Sequence, residues 1–277
     1  VGPNKIIDTN KYFVVCANYI GGCYGSTGPN SKNPITDESY NFDFPPISFK
    51  DIEVSQKLLL DHLGVVSLEA VIGPSIGGLM ALEFCTLYPN YVNKLISISS
   101  GYKLSTIQLL HNLEQAYILD LSKDSNVRKK EYLSLARMIA HKTYISLELL
   151  SKRAKSESLY DDDLIKGFLN SPQESYMMHQ GEKFIERFTP ESYSSIIKGW
   201  QNFNLEMESI SKLININTLV ISVDSDVCFY PEEQREFVSI LENCKVQTTY
   251  RMIESTKGHD SFLLEPELFK EIIENFI

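Results

Sequence analysis

Residues Leu68 to Gly78 read LEAVIGPSIGG, an apolar run with β-branched residues that gives way to glycine, proline, serine and two more glycines. The spacing predicts a buried strand over Leu68–Gly73, a very tight turn at Ser75, and a helix over Ile76–Tyr88 that stops at Pro89. Within it, Gly73-Pro74-Ser75-Ile76-Gly77 fits G-x-S-x-G. That pattern places a serine on a sharp strand-to-helix turn, lifts its hydroxyl above the sheet, and needs small neighbours where backbone packs closely. The serine also stands at a helix N-terminus, where free N–H groups stabilise an oxyanion. The plainer alternative is a glycine-rich turn whose serine only caps the helix.

The rhythm on either side continues the strand–helix alternation. Tyr12–Ala17 (YFVVCA) reads as a buried strand, Gly21–Pro34 as a loop, and Phe49–Leu63 as a helix closed by Gly64. Lys94–Ser99 is the next strand. From Leu104 to Trp200 the signals are helical, too long a stretch for one crossover. The pattern then resumes with a strand at Ile216–Val223, a helix at Glu232–Asn243, a strand at Val246–Ile253 and a closing helix at Glu265–Phe276. The expectation is an α/β fold with a mostly parallel sheet: core from residues 1–103 and 201–277, interrupted by a helical cap at 104–200.

A chain of 277 residues, 43% of them apolar, buries a core large enough for such a domain. Its formal charge of -10 repels phosphate backbones and anionic lipid, which argues against nucleic acid or membrane as the main partner. The five cysteines form no CxxC pair, which speaks against a disulfide framework or zinc site and for a reducing cytoplasm. No apolar run is long enough for a transmembrane span, and no signal peptide is legible. Val1 in the place of methionine implies processing or a start that lies further upstream.

A nucleophilic serine needs a base, and the base needs a carboxylate to fix its tautomer. In hydrolase folds the chain order is Ser, then Asp or Glu, then His. Of His62, His111, His141, His179 and His259, only His259 follows the late strands, in Lys257-Gly258-His259-Asp260. The other four fall in helical segments and read as solvated or core-satisfied. After the strand ending at Val223, Asp224 and Asp226 are both candidate acids, and local reasoning does not choose between them.

Longer stretches carry a resemblance. Asn18 to Pro29 (NYIGGCYGSTGP), Leu135 to His141 with Thr143-Tyr144, Tyr176 to Phe188, Ser225-Asp226, and Gly258 to Leu263 are similar, in order, to the homoserine O-acetyltransferases of the α/β-hydrolase superfamily. The resemblance covers the whole chain. It implies ping-pong transfer: Ser75 attacks an acyl-CoA thioester, His259 is the base, Asp226 orients it, and the Ile76 N–H serves the oxyanion. Arg137, Tyr144 and Asp260 match the positions that hold the amino acid. The guanidinium fork suits its carboxylate and the aspartate its ammonium. Acetyl-CoA, or succinyl-CoA, would be a substrate, with no metal or tightly bound cofactor. The family's habit of pairing through its cap implies a homodimer.

This chain departs from the family at Pro74 and Ile76, which stand for its usual glycine and methionine, and at Val227-Cys228-Phe229-Tyr230-Pro231 near the acid. The resemblance also implies further strands ahead of Tyr12. One of them would lie between Tyr12–Ala17 and Leu68–Gly73 and supply a second oxyanion donor. Competing readings are an L-serine acyltransferase, which differs by one methylene worth about 1–3 kcal/mol, a serine esterase or thioesterase, and a catalytically impaired homologue.

Overall fold

Runs rich in β-branched residues form the strands here, and the two central ones, Val92–Ile98 and Asn217–Val223, are buried along most of their length. The computed structural model of the chain describes residues 1–124, 128–156 and 171–277. In chain order its main elements begin with α1 (Phe49–His62), β1 (Leu68–Pro74), α2 (Ile76–Leu87) and β2 (Val92–Ile98). There follow α3 (Thr106–Leu121), α4 (Lys129–His141), α5 (Leu147–Ser156), α6 (Pro172–Ile185), α7 (Pro190–Gln201) and the short α8 (Met207–Ile210). The chain closes with β3 (Asn217–Val223), α9 (Pro231–Asn243), β4 (Thr248–Ile253), α10 (Ser261–Leu264) and α11 (Glu267–Phe276). No helix among the described residues is long and apolar enough to cross a membrane.

The strands form one four-stranded sheet in the order β1-β2-β3-β4, parallel throughout. Register keeps their C-terminal ends level: Pro74 pairs with Ile98, Ile98 with Ile221, and Val223 with Ile253. Every loop leaving a C-terminal end therefore opens on one edge of the sheet. Ile96, Ile98, Leu219, Ile221 and Val223 pack with Phe269 and Ile273 of α11 into a buried core. Near 25 cal/mol per Å² of apolar surface, burial of this kind is the main force holding strands and helix together.

Two compact units emerge. One comprises Val1–Tyr19, Phe49–Lys103 and Asn204–Ile277, and contains the sheet. The other comprises Ile20–Ser48 and Leu104–Phe203, so the loop Ile20–Ser48 goes with the helices. In that helical unit Leu119, Leu133, Ala136 and Phe184 form one buried cluster, and Ile145, Leu149, Ala154 and Tyr176 a second. Its helices start on firm caps: Ser105 and Gln108 make a capping box for α3, and Ser171 and Thr189 cap α6 and α7, each followed by proline. Parts of the expected helical stretch, 125–127 and 157–170, lie outside the described residues.

One expected strand is absent. Tyr12–Ala17 has no regular structure, and Phe13 is 76% exposed. Its composition suits a strand, but a strand exists only against a neighbour, and among the described residues β1 pairs with β2 alone. The expected closing helix forms as α11, with Pro266 at its N-cap, and the short α10 precedes it.

Candidate active site

At the C-terminal end of β1 the chain must reverse into α2 within a single residue. Ser75 does so with φ 56 and ψ −132, a conformation that L-residues avoid. Its N–H bonds Ile98 O at 2.9 Å, which ties the turn to the neighbouring strand. Gly73 is sterically required: a Cβ there would meet Gly77 O at 1.9 Å. Gly77 is not, since its Cβ would lie 3.5 Å from Pro74 Cδ, an ordinary contact. Pro74 is the last residue of β1, an edge strand among the described residues, which is where a sheet tolerates proline.

Although Ser75 occupies the N-cap position, its side chain makes no cap bond. Its Oγ lies 2.8 Å from His259 Nε2. His259 Nδ1 in turn lies 2.8 Å from Asp226 Oδ2. The three residues thus follow β1, β3 and β4, and the level register of those strands brings them into one hydrogen-bonded chain. Asp226 and His259 are buried, at 1% and 2% exposure.

The carboxylate is held as well as holding. Asp226 Oδ1 accepts N–H bonds from Cys228 at 2.8 Å and Phe229 at 2.9 Å, leaving Oδ2 for the imidazole. The Phe229 ring stacks on His259 at 5.5 Å, and Phe262 meets it edge-on at 5.6 Å. Gln234 Nε2 holds Phe229 through its carbonyl at 2.9 Å. Burial by itself pushes the His259 pKa down. The Asp226 carboxylate beside it, helped by Asp260, outweighs that and holds the imidazole above the ordinary histidine value. Such a chain can take the serine proton at Nε2 while the Nδ1–H stays fixed on the carboxylate. Ile76 opens α2, so its N–H is among those without an intrahelical partner and is available to an oxyanion.

The structure separates the two candidate acids. Asp224 does not face His259; its Oδ1 accepts the Ser255 N–H at 2.9 Å. The backbone donors on Asp226 and the aromatic packing of Phe229 were not legible in sequence. The only hint was the unusual Val227–Pro231 run.

Arg137 and Tyr144 belong to the helical unit. The Arg137 guanidinium lies 4.7 Å from the Tyr144 ring centre and 4.8 Å from that of Phe184. A guanidinium held over aromatic rings keeps its in-plane N–H groups available for a carboxylate. Asp260, half-buried, follows His259 directly. Of the two expected alternatives, solvated or core-satisfied, His141 is the core one, satisfied at one ring nitrogen. It is 4% exposed, its Nε2 lies 3.3 Å from Tyr176 Oη, and its Nδ1 has no partner among the described residues. Burial and the nearby Arg137 and Arg153 lower its pKa to about 4, so it is neutral.

A family model described as alpha/beta hydrolase fold matches residues 5–266. A homoserine O-acetyltransferase of Methanosalsum zhilinae is 41% identical over 294 residues, covering all of this chain and 59% of its own length. One of Desulfotalea psychrophila is 36% identical, covering 100% of this chain and 75% of its own. The chain therefore spans little more than half of the archaeal relatives it matches. Among solved structures, homoserine O-acetyltransferase from Bacillus anthracis superposes with a TM-score of 0.88 at 24% identity, over 100% of this chain and 79% of that one. Esterase E22 superposes with a TM-score of 0.89 at 20% identity, over 99% and 80%. At those identities the two structures speak for the fold alone.

Proposed function

Because this chain belongs to the homoserine O-acetyltransferases, a family of the α/β-hydrolase fold, we propose that it transfers an acyl group from acyl-CoA to the hydroxyl of L-homoserine through an acyl-Ser75 intermediate. The observation that carries this reading is the Ser75 hydroxyl, which forgoes its cap and lies 2.8 Å from His259 Nε2.

In the first half-reaction Ser75 Oγ attacks the thioester carbonyl and its proton passes to His259 Nε2. The negative charge that develops on the carbonyl oxygen falls to the Ile76 N–H at the start of α2. Asp226, fixed by its two backbone donors, steadies the imidazolium. The C–S bond breaks, the thiolate takes the proton from Nε2, and CoA leaves. In the second half-reaction the homoserine hydroxyl gives its proton to Nε2 and attacks the acyl-serine. The tetrahedral intermediate collapses, Ser75 recovers the proton and the ester departs.

Arg137, over the rings of Tyr144 and Phe184, would take the substrate carboxylate, and Asp260 the ammonium group. Acetyl is the donor we favour, on the names of the relatives. A homodimer through the helical unit fits the apolar row that α3 leaves exposed: Leu110 at 50%, Leu113 at 58%, Tyr117 at 67% and Leu121 at 46%.

The test is CoA release from acetyl-CoA with L-homoserine, L-serine or water as acceptor, run beside Ser75→Ala. Homoserine-dependent release that disappears in Ser75→Ala supports the reading. Release that depends on serine or water alone moves the acceptor, and release that persists in Ser75→Ala removes Ser75 from the chemistry.

A further inference from the structure

Three consecutive residues after β3 reach across to the loop that carries His259, and only the last of them touches the imidazole. Asp224 Oδ1 accepts the Ser255 N–H at 2.9 Å. The Ser225 hydroxyl donates to Ser255 O at 2.5 Å and accepts the Gly258 N–H at 3.0 Å. Asp226 then meets His259 Nδ1. Ser255 is thus held at both its backbone groups, and Gly258, the residue just before His259, is held at its amide.

We propose that Ser225 is a positioning residue, whose hydroxyl clamps the main chain of the His259 loop to the end of β3 and so sets the imidazole between Asp226 and Ser75. The proposal rests on the reading of those three side chains as the reacting groups. The loop needs such a clamp. Between the end of β4 at Ile253 and the turn at Gly258–Asp260 it has no ladder, and Gly258 turns with φ 75, outside the range that ordinary residues hold by themselves.

Phe229 and Phe262 pack on the ring, but among the described residues the Ser225 hydroxyl alone bridges the Ser255 carbonyl and the Gly258 amide. A second set of bonds anchors the far side of the loop: Ser255 Oγ donates to Glu265 Oε2 at 2.6 Å and accepts the Lys257 N–H at 3.0 Å, while Ser261 Oγ donates to Gly258 O at 2.5 Å. Without the Ser225 hydroxyl, the buried Gly258 amide and the Ser255 carbonyl lose their shared partner. Among the described residues the loop then keeps only the Asp224–Ser255 bond and the Asp226–His259 contact as ties to the end of β3, and His259 drifts from both neighbours. Threonine preserves the hydroxyl, and valine gives the threonine shape without it.

The experiment measures the rate at which a fluorophosphonate labels Ser75 of the full chain from about pH 5 to about pH 9, in wild type, S225A, S225T and S225V, with S75A as the blank. S225A and S225V should label on the order of 10-fold more slowly, since even a 1 Å misplacement costs about 10²-fold. Their acid limb should move to lower pH, because a looser Asp226 contact raises the His259 pKa less. S225T should stay close to wild type. A lesion of stability alone would leave the limb where it is. If S225A does not melt cooperatively, D224A, which frees the same loop at Ser255, should shift the limb in the same direction. S225A and S225V labelling like wild type with an unmoved limb, or S225T as slow as S225V, would overturn the role of Ser225 while leaving Ser75 the nucleophile. Labelling of wild type no faster than of S75A would instead overturn the reading of Ser75, and the Ser225 role with it.

Discussion

His259 Nε2 lies 2.8 Å from Ser75 Oγ, although 184 positions of sequence separate the two residues. A parallel sheet with level C-terminal ends makes that approach possible. The strained turn at Ser75 makes it useful, because it aims the hydroxyl away from the helix it would otherwise cap.

That pair sets the pH dependence of acylation. His259 acts as a base only when neutral, and Asp226 holds its pKa above the ordinary value of 6.5. Activity should therefore rise with pH through a midpoint above 6.5. Asp226→Asn removes the charge that raises the pKa and leaves the burial that lowers it, so the midpoint should fall. The rate should drop on the order of 10³–10⁴-fold as the tautomer is lost. A pH–rate profile of both proteins checks this.

Much of this site was readable in the sequence because its constraints are local or follow chain order. G-x-S-x-G demands a steric arrangement that Gly73 displays directly, and His259 was the one histidine after the late strands. The choice between Asp224 and Asp226 was open because both follow Val223, and only the register of β3 against β4 decides which faces the imidazole. Tyr12–Ala17 misled because composition reports a strand's preference but not whether a neighbour is there to pair with it. For His141 the choice between solvated and core-satisfied stayed open because a helix position says nothing about the packing of Tyr144 and Tyr176 around it.

Arg137→Lys tests the amino-acid site. Lysine keeps the charge but loses the planar stack on Tyr144 and Phe184 and the bidentate fork. KM for homoserine should rise about 10-fold or more, as loss of a charge-assisted bond of about 1.5–3 kcal/mol implies. Acylation by acetyl-CoA in the absence of acceptor should be unchanged.

Two buried groups give stability opposite pH dependences. Burial, with Glu83 nearby, raises the Glu53 pKa from 4.5 to about 8. Lys50 and Lys212 act on Glu83. Because the folded value exceeds the unfolded one, this contribution is whole below pH 4.5 and is lost as pH rises towards 8, by at most about 1.4 kcal/mol per pH unit. Glu53→Gln should flatten the decline of Tm across that range. His141, depressed to about 4, acts in the other direction: its contribution is present above 6.5 and fades as pH falls towards 4. Thermal melts across pH check both signs.

The exposed row on α3 gives a test of assembly. Leu113→Glu with Tyr117→Glu, both on exposed positions, should leave Tm nearly unchanged while shifting the sedimentation of a dimer to that of a monomer. Wild type sedimenting as a monomer would remove the homodimer.

Acyl transfer through Ser75 leaves its trace on the Ser75 peptide, where mass spectrometry reads it. The protein is mixed with acetyl-CoA without acceptor, quenched, and compared with a sample chased with L-homoserine. One acetyl group should sit on the Ser75 peptide, be absent from Ser75→Ala, and disappear in the chase as O-acetylhomoserine forms. Homoserine acetylated while the Ser75 peptide never carries the group, or an acetyl group that the chase cannot remove, would contradict acyl transfer through Ser75.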